Sequence, residues 1–195
     1  MAHCSTVRVQ RGFTMLEVLV SLVILVFGLL GLLGLQAHSQ IATFESYQRG
    51  QALILVHDMA DRLSTNRSAA GCYVTTALAP PYAGTGAATP VCNAAVGTAT
   101  TRALADADLA AWDSALKGAS ETQGGASVGA VLGARGCVTF IPATNSYRVA
   151  VAWQGMASTV APTAGDPSAT CAQDLYGNEA QRREVSVTVR IASLI

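Results

Sequence analysis

The sequence contains little charge and few histidines, and both shortages exclude classes of function. Aspartate, glutamate, lysine and arginine make up 12% of the 195 residues, and the formal net charge is zero. From Ser68 onward seven basic residues balance eight acidic ones, so the chain lacks the basic excess that binds nucleic acid. The three histidines are His3, His38 and His57, and none follows them.

The lack of histidine after His57 also argues against catalysis. A serine or cysteine nucleophile usually needs a histidine as its general base. His57 and Asp61 have the i,i+4 spacing of two metal ligands, but two polar residues on a solvated helix are usually just solvated. The sequence therefore predicts that the chain is not an enzyme, with no catalytic residue, no metal site and no cofactor. Calcium binding stays an alternative for one acidic stretch, which contains Asp166, Asp174, Asn178 and Glu179. This stretch lacks the ordered spacing of a known calcium loop.

The sequence does contain one long apolar run with a single carboxylate at its head. The run from Val18 to Leu35 has no charged residue, and its 18 residues would extend about 27 Å as a helix, enough to cross a bilayer core. Glu17 stands immediately before it. Because an unpaired carboxylate is costly in hydrocarbon, Glu17 is a candidate functional residue.

The charges that flank the run predict its orientation. Arg8 and Arg11 precede it, and the first charges after it are Glu45 and Arg49. The positive-inside rule places the N-terminus in the cytoplasm and the bulk of the chain outside, with a single crossing. A secretory signal peptide cleaved after Ala37-His38-Ser39 is the competing interpretation. It is disfavoured because the run is long and the glutamate lies at the wrong end.

The residues around Glu17 resemble a known signal. Gly12-Phe13-Thr14-Met15-Leu16-Glu17, followed by an apolar helix, resembles the class III signal of type IV prepilins and pseudopilins. This resemblance implies that a prepilin peptidase cuts between Gly12 and Phe13 and that the new amine of Phe13 is methylated. It implies that Glu17 pairs with such an amine during assembly. Residues 1–12 would be a leader peptide.

Hydrophobic periodicity predicts one helix from Thr14 to about Arg67. Residues 13–35 would form its transmembrane and filament-core half, and residues 36–67 its amphipathic half. In the second half one buried face is marked by Ala52, Leu55, Met59 and Leu63. Glu45 and Arg49 have the spacing of a helical ion pair.

Residues 68–195 are expected to form a periplasmic globular head domain. Apolar spacing at Leu104, Leu109, Trp112 and Leu116 predicts a short helix over 102–117. Period-two alternation predicts a hairpin over 137–141 and 147–153 and a last strand over 184–191. The predicted fold is α+β and pilin-like, with a long N-terminal helix packed on a small antiparallel sheet.

Four cysteines remain beyond the leader, which contains Cys4: Cys72, Cys92, Cys137 and Cys171. An even number in an oxidising compartment predicts disulfides that staple the loops. Three connectivities are open, and we favour Cys72–Cys92 with Cys137–Cys171 because each closes a loop within one region. Each loop should contribute about 3 kcal/mol in the chain-entropy account.

Several downstream segments resemble the PilV family of minor type IV pilins. They are Ser46-Tyr47-Gln48-Arg49, the stretch 58–63 with Asn66-Arg67, the helix around Trp112, the strand ending Val151-Ala152-Trp153, and Arg182-Arg183. This resemblance implies a minor pilin of the priming and tip complex, located in the inner membrane and in the pilus. Its implied partners are other minor pilins, the major pilin, the prepilin peptidase and a large tip adhesin. A type II secretion pseudopilin and a membrane-anchored enzyme or ligand-binding domain are the alternatives.

Overall fold

The structure is a computed structural model that describes residues 12–77, 81–86, 92–119, 122–127, 131–162 and 170–191. The chain divides into two compact units, Met1–Thr43 and Phe44–Ile195. The described part of the first unit is an exposed helical segment, and the second unit contains the sheet and the hydrophobic core. Of the predicted leader, residues 1–11 lie outside the described residues.

The long N-terminal helix, α1, runs from Met15 to Thr65. It begins directly after Thr14, whose side-chain Oγ1 accepts a hydrogen bond from the backbone N–H of Glu17 at 3.3 Å. A hydroxyl before the first turn satisfies one of the N–H groups that every helix start leaves unpaired. α1 ends before Asn66, and a 3-10 segment over Arg67–Tyr73 follows. The predicted single helix is confirmed to within two residues at each end.

The second helix, α2, runs from Ala99 to Leu116. It starts three residues earlier than predicted because Thr98 and Thr101 form a reciprocal cap, each hydroxyl accepting from the other residue's backbone N–H. Leu109, Trp112 and Leu116 are buried, as the spacing predicts, but Leu104 is 48% exposed.

A three-stranded antiparallel sheet forms the second layer. It contains β3 (Arg135–Ile141), β4 (Ser146–Gln154) and β5 (Arg182–Arg190) in that order. A two-stranded ribbon, β1 (Thr122–Gln123) with β2 (Ala126–Ser127), lies in the connection between α2 and β3. Its turn is Gly124-Gly125, where both residues have positive φ, a conformation that glycine adopts without strain.

The inner face of the sheet packs against both helices. The register places Val149 of β4 opposite Val138 of β3 and Val187 of β5, which gives a continuous apolar row. On β5 the predicted alternation is confirmed, with valines packed against the core and Ser186, Thr188 and Arg190 exposed. α1 adds six buried residues to the second unit: Gln48, Ala52, Val56, Met59, Ala60 and Leu63.

α2 approaches β3 closely at Gly136. A Cβ atom built on Gly136 would lie 2.2 Å from Cη2 of Trp112 and 2.7 Å from Cδ1 of Leu116. Such separations are far shorter than a carbon–carbon contact. α2 can therefore lie this close to β3 only where β3 has a residue without a side chain. The indole N–H of Trp112 also donates to the main-chain carbonyl of Leu55 at 2.9 Å, which joins α2 to α1.

The structure contains two disulfides, Cys72–Cys92 and Cys137–Cys171, with Cα separations of 4.9 Å and 5.8 Å. This is the pairing favoured from the sequence. The second bond holds the segment around Cys171 against the outer face of the sheet, where Ala150, Ala152 and Ala172 form a small separate cluster. Both faces of the sheet are therefore partly covered.

Candidate functional site

The described N-terminal segment is irregular and exposed directly before α1 begins. Gly12, Phe13 and Thr14 have no regular structure, and Phe13 is 83% exposed. A Cβ built on Gly12 would meet no described atom within 4 Å. Among the described residues nothing requires glycine at position 12, so a requirement there points to a protein that binds this segment.

Glu17 lies in the first turn of α1 and is exposed in the isolated chain. A carboxylate there is favoured by the positive end of the helix dipole. Ser21 turns back along the helix, and its hydroxyl donates to the carbonyls of Glu17 and Val18 at 2.8 Å and 2.9 Å. Among the described residues no side chain binds the carboxylate of Glu17.

The apolar stretch that follows meets the length and composition of a membrane span. α1 is the one helix among the described residues that does so, and none of its most apolar window is buried within the chain. Phe27 is 70% exposed and Leu35 is 69% exposed. The stretch therefore needs a lipid or protein environment that the chain itself does not supply.

In the second unit a buried polar network joins α1, the 3-10 segment and α2. Asp108 accepts from Arg62 at 2.9 Å and from the phenol of Tyr73 at 2.6 Å. Asn66 donates to Tyr73 at 3.2 Å and to the carbonyl of Thr101 at 2.7 Å. Burial, and then the hydrogen bond to Asp108, raise the pKa of Tyr73. The phenol is therefore a neutral hydrogen-bond donor. We assign the network a structural role, because each of its residues has a hydrogen-bond partner within it.

A second buried carboxylate, Asp113, holds a loop. Its Oδ1 accepts from the backbone N–H groups of Gly84, Thr85 and Gly86 at 2.6, 3.2 and 3.3 Å, and its Oδ2 lies 2.9 Å from Nζ of Lys117. Burial alone would raise the pKa of Asp113, but these donors outweigh it and hold the pKa below its usual range.

A third carboxylate, Glu45, links α1 to the loop after β4. Its Oε1 accepts from the backbone N–H groups of Met156 and Ala157 at 3.0 Å and 3.1 Å and from Arg183 at 3.4 Å. The predicted ion pair of Glu45 with Arg49 was therefore wrong. The carboxylate of Glu45 instead accepts hydrogen bonds from groups that are distant in sequence. The i,i+4 rule carries no information about such tertiary partners.

The candidate metal ligands are not brought together. Asp166 lies outside the described residues, and the carboxylate of Glu179 binds the backbone N–H of Asp174 and the guanidinium of Arg182. His57 and Asp61 are both exposed on α1. Among the described residues no three histidine, cysteine, aspartate or glutamate side chains group closely enough to hold a metal ion.

Two known families match adjoining ranges of the chain. Residues 7–33 match the prokaryotic N-terminal methylation motif, and residues 34–110 match the family described as Type IV pilin Tt1218. No curated protein and no solved structure matches the chain. The first range contains Gly12, Phe13 and Glu17, and the second contains the C-terminal half of α1 and most of α2. The chain therefore carries a prokaryotic N-terminal methylation motif followed by a type IV pilin domain.

Proposed function

We propose that this chain is a minor type IV pilin of the PilV family. It enters the assembly after a prepilin peptidase cuts between Gly12 and Phe13, and it acts in the priming or tip complex. The observation that carries the proposal is the continuity of α1. The methylation motif leads into an apolar stretch with no partner in the chain, and the same helix then supplies core residues of the disulfide-linked head.

The same features support a location and a set of partners. Arg8 and Arg11 before the apolar stretch favour a cytoplasmic N-terminus, and two disulfides fit a periplasmic head. In the membrane the chain meets the prepilin peptidase. In the assembly its partners are other minor pilins, the major pilin and a large tip adhesin.

Mass spectrometry of the protein purified from cells tests the processing step. The expected mature chain begins at Phe13 with a methylated amine, and a chain that begins at Gln40 would overturn the proposal. Affinity purification of the tagged full chain then tests the partners. Recovery of the other minor pilins at similar abundance supports the priming complex.

A type II secretion pseudopilin shares the methylation motif, so deletion of the gene separates the two functions. Loss of surface pili with normal protein secretion supports a minor pilin. Loss of secretion with normal pili would overturn this proposal and support a pseudopilin.

A further inference from the structure

The second unit contains a pocket of about 280 Å³ beside α1, at the end of the sheet where β4 leaves and β5 enters. Its lining residues are Glu45, Ser46, Arg49, Trp153 and Arg183. They come from one helix and two strands, so the backbone that holds them is regular. None of its lining residues belongs to the segment Gly12–Glu17 on which the proposed processing and assembly depend.

One wall of the pocket is fixed by Arg183. Its guanidinium donates to the carbonyls of Ala157 and Ala180 at 2.6 Å and 3.0 Å and approaches Glu45 at 3.4 Å. A Cβ built on Gly155 would lie 2.7 Å from Cζ of Arg183, so the guanidinium lies directly on a residue without a side chain. Arg183 is thereby held in one place before anything else binds.

The other arginine of the pocket has no such partner. Arg49 is exposed on α1, and no ion pair or hydrogen bond joins its guanidinium to any described residue. Two guanidinium groups therefore face one carboxylate, that of Glu45. The pocket has one positive charge in excess, and five N–H donors of Arg49 are available to an incoming group.

Trp153 adds a buried donor without an acceptor. The residue is 3% exposed, and its indole Nε1 has no hydrogen-bond partner among the described residues. This nitrogen has almost no accessible surface, so an occupant of the pocket does not reach it, and the free donors that the pocket offers are those of Arg49. Trp112, the other tryptophan, is already bonded to Leu55.

We propose that this pocket binds a carboxylate, and that its occupant in the assembled structure is an aspartate or glutamate side chain of a neighbouring pilin subunit. A carboxylate supplies the charge that balances Arg49, and guanidinium–carboxylate pairs form strong charge-assisted hydrogen bonds. The identity of the occupant as a subunit rests on the proposed function; the carboxylate chemistry does not.

The surroundings of the pocket have the composition of a protein interface. Phe44 and Tyr47 adjoin lining residues in sequence, and Met156 donates its backbone N–H to Glu45. The three residues are 44%, 56% and 53% exposed. Aromatic residues, methionine and arginine are enriched at the centres of protein–protein interfaces. A protein segment that presents a carboxylate next to apolar side chains fits both the pocket and its rim, whereas a small free anion would leave the rim uncovered.

The carboxylate chemistry is tested on the full chain in detergent by tryptophan fluorescence. The probe is N-acetyl-aspartate α-amide at constant ionic strength, and N-acetyl-asparagine amide is its neutral equivalent. We expect a saturating emission change with the acid and none with the amide. Arg49→Met should weaken binding by about tenfold or more, whereas Arg67→Met, an exposed arginine outside the pocket, should not. Equal responses to acid and amide, or unchanged affinity in Arg49→Met, would overturn the site.

The occupant is tested in cells by the amount of each variant in sheared pili relative to the membrane. Arg49→Met should be incorporated several-fold less than wild type, and Arg67→Met equally well. Normal incorporation of Arg49→Met would overturn a neighbouring subunit as the occupant. If wild-type protein itself is absent from pili, the proposed function fails instead, and the fluorescence result still decides the carboxylate site.

Discussion

The phenol of Tyr73 donates a 2.6 Å hydrogen bond to Oδ2 of Asp108, and Tyr73 is fully buried. The pair joins the 3-10 segment after α1 to the middle of α2. Oδ1 of the same carboxylate binds Arg62 of α1, so one aspartate orients three elements. Short polar contacts of this kind specify a position along the helices that apolar packing alone leaves adjustable.

Gly12→Leu should leave the fold intact and block processing. A Cβ atom at position 12 meets no described atom within 4 Å, so the described part of the chain imposes no steric penalty. We expect the full-length precursor to accumulate in the membrane, measured by immunoblot and by mass spectrometry of the N-terminus. Normal cleavage of Gly12→Leu would show that the junction lies elsewhere.

Glu17→Val should be cleaved after Gly12 but should not enter pili. Without the carboxylate, the amine of Phe13 has no partner in the assembly, and loss of one partner of a buried ion pair should reduce incorporation by about a hundredfold or more. The measurement compares sheared pili with the membrane fraction. Wild-type levels of the variant in pili would exclude an ion-pairing role for Glu17.

Gly136→Ala and Gly50→Ala should change stability in opposite directions. At Gly136 the new methyl would overlap the ring of Trp112, and overpacking of this kind costs about 1–3 kcal/mol. At Gly50 the methyl lies in open space on α1, and alanine stabilises a helix by about 1 kcal/mol relative to glycine. Thermal unfolding of the full chain in detergent measures both. Equal shifts would contradict the close contact of α2 with β3.

Asp113→Asn should destabilise the protein at neutral pH and much less in acid. The folded state holds the pKa of Asp113 below its ordinary 3.8, despite burial, because Lys117 and the amides of Gly84 and Gly86 bind the charged form. A lowered folded pKa contributes stability above the unfolded pKa and loses it as pH falls through the folded pKa. The difference in Tm from wild type should therefore be largest at neutral pH and shrink as the pH falls below 3.8.

Asp61→Asn is the matched control for this experiment, because Asp61 is exposed on α1. Its unfolding curve should follow that of wild type at every pH. A wild-type-like pH dependence for Asp113→Asn would show that the contacts with the Gly84–Gly86 loop are not formed in solution.

Non-reducing peptide mapping of the purified chain should recover the Cys72–Cys92 and Cys137–Cys171 peptides. The two bonds close 20-residue and 34-residue separations, and removal of either should cost about 3 kcal/mol. Free thiols at these positions, or a peptide that links Cys72 to Cys137, would contradict the structure.

Most of the fold could be predicted because its signals are local. The bounds of α1 follow from a long apolar pattern without proline, and β5 follows from strict alternation of valine with polar residues. α2 was placed three residues late because Thr101 replaces the usual glutamate or glutamine of a capping box. The ribbon over 122–127 was missed because its strands are two residues long.

The pocket could not be predicted, since its residues meet only through tertiary structure. Glu45 and Trp153 are more than a hundred positions apart, and nothing in the spacing of Glu45 and Arg49 indicates that backbone amides of a distant loop take the carboxylate. The N-terminal motif, by contrast, is contiguous, and its match over residues 7–33 contains Gly12, Phe13 and Glu17, whose roles stay predictions.

The burial of Ala52, Val56, Met59 and Leu63 has a mechanical consequence. These residues belong to the same uninterrupted helix as the apolar N-terminal stretch, and they are also central to the core of the second unit. Tension applied along α1 would therefore act on apolar contacts and on the Trp112–Leu55 hydrogen bond, and the helix cannot be withdrawn without unfolding the head. Tensile strength along this subunit is thus limited by the stability of its hydrophobic core.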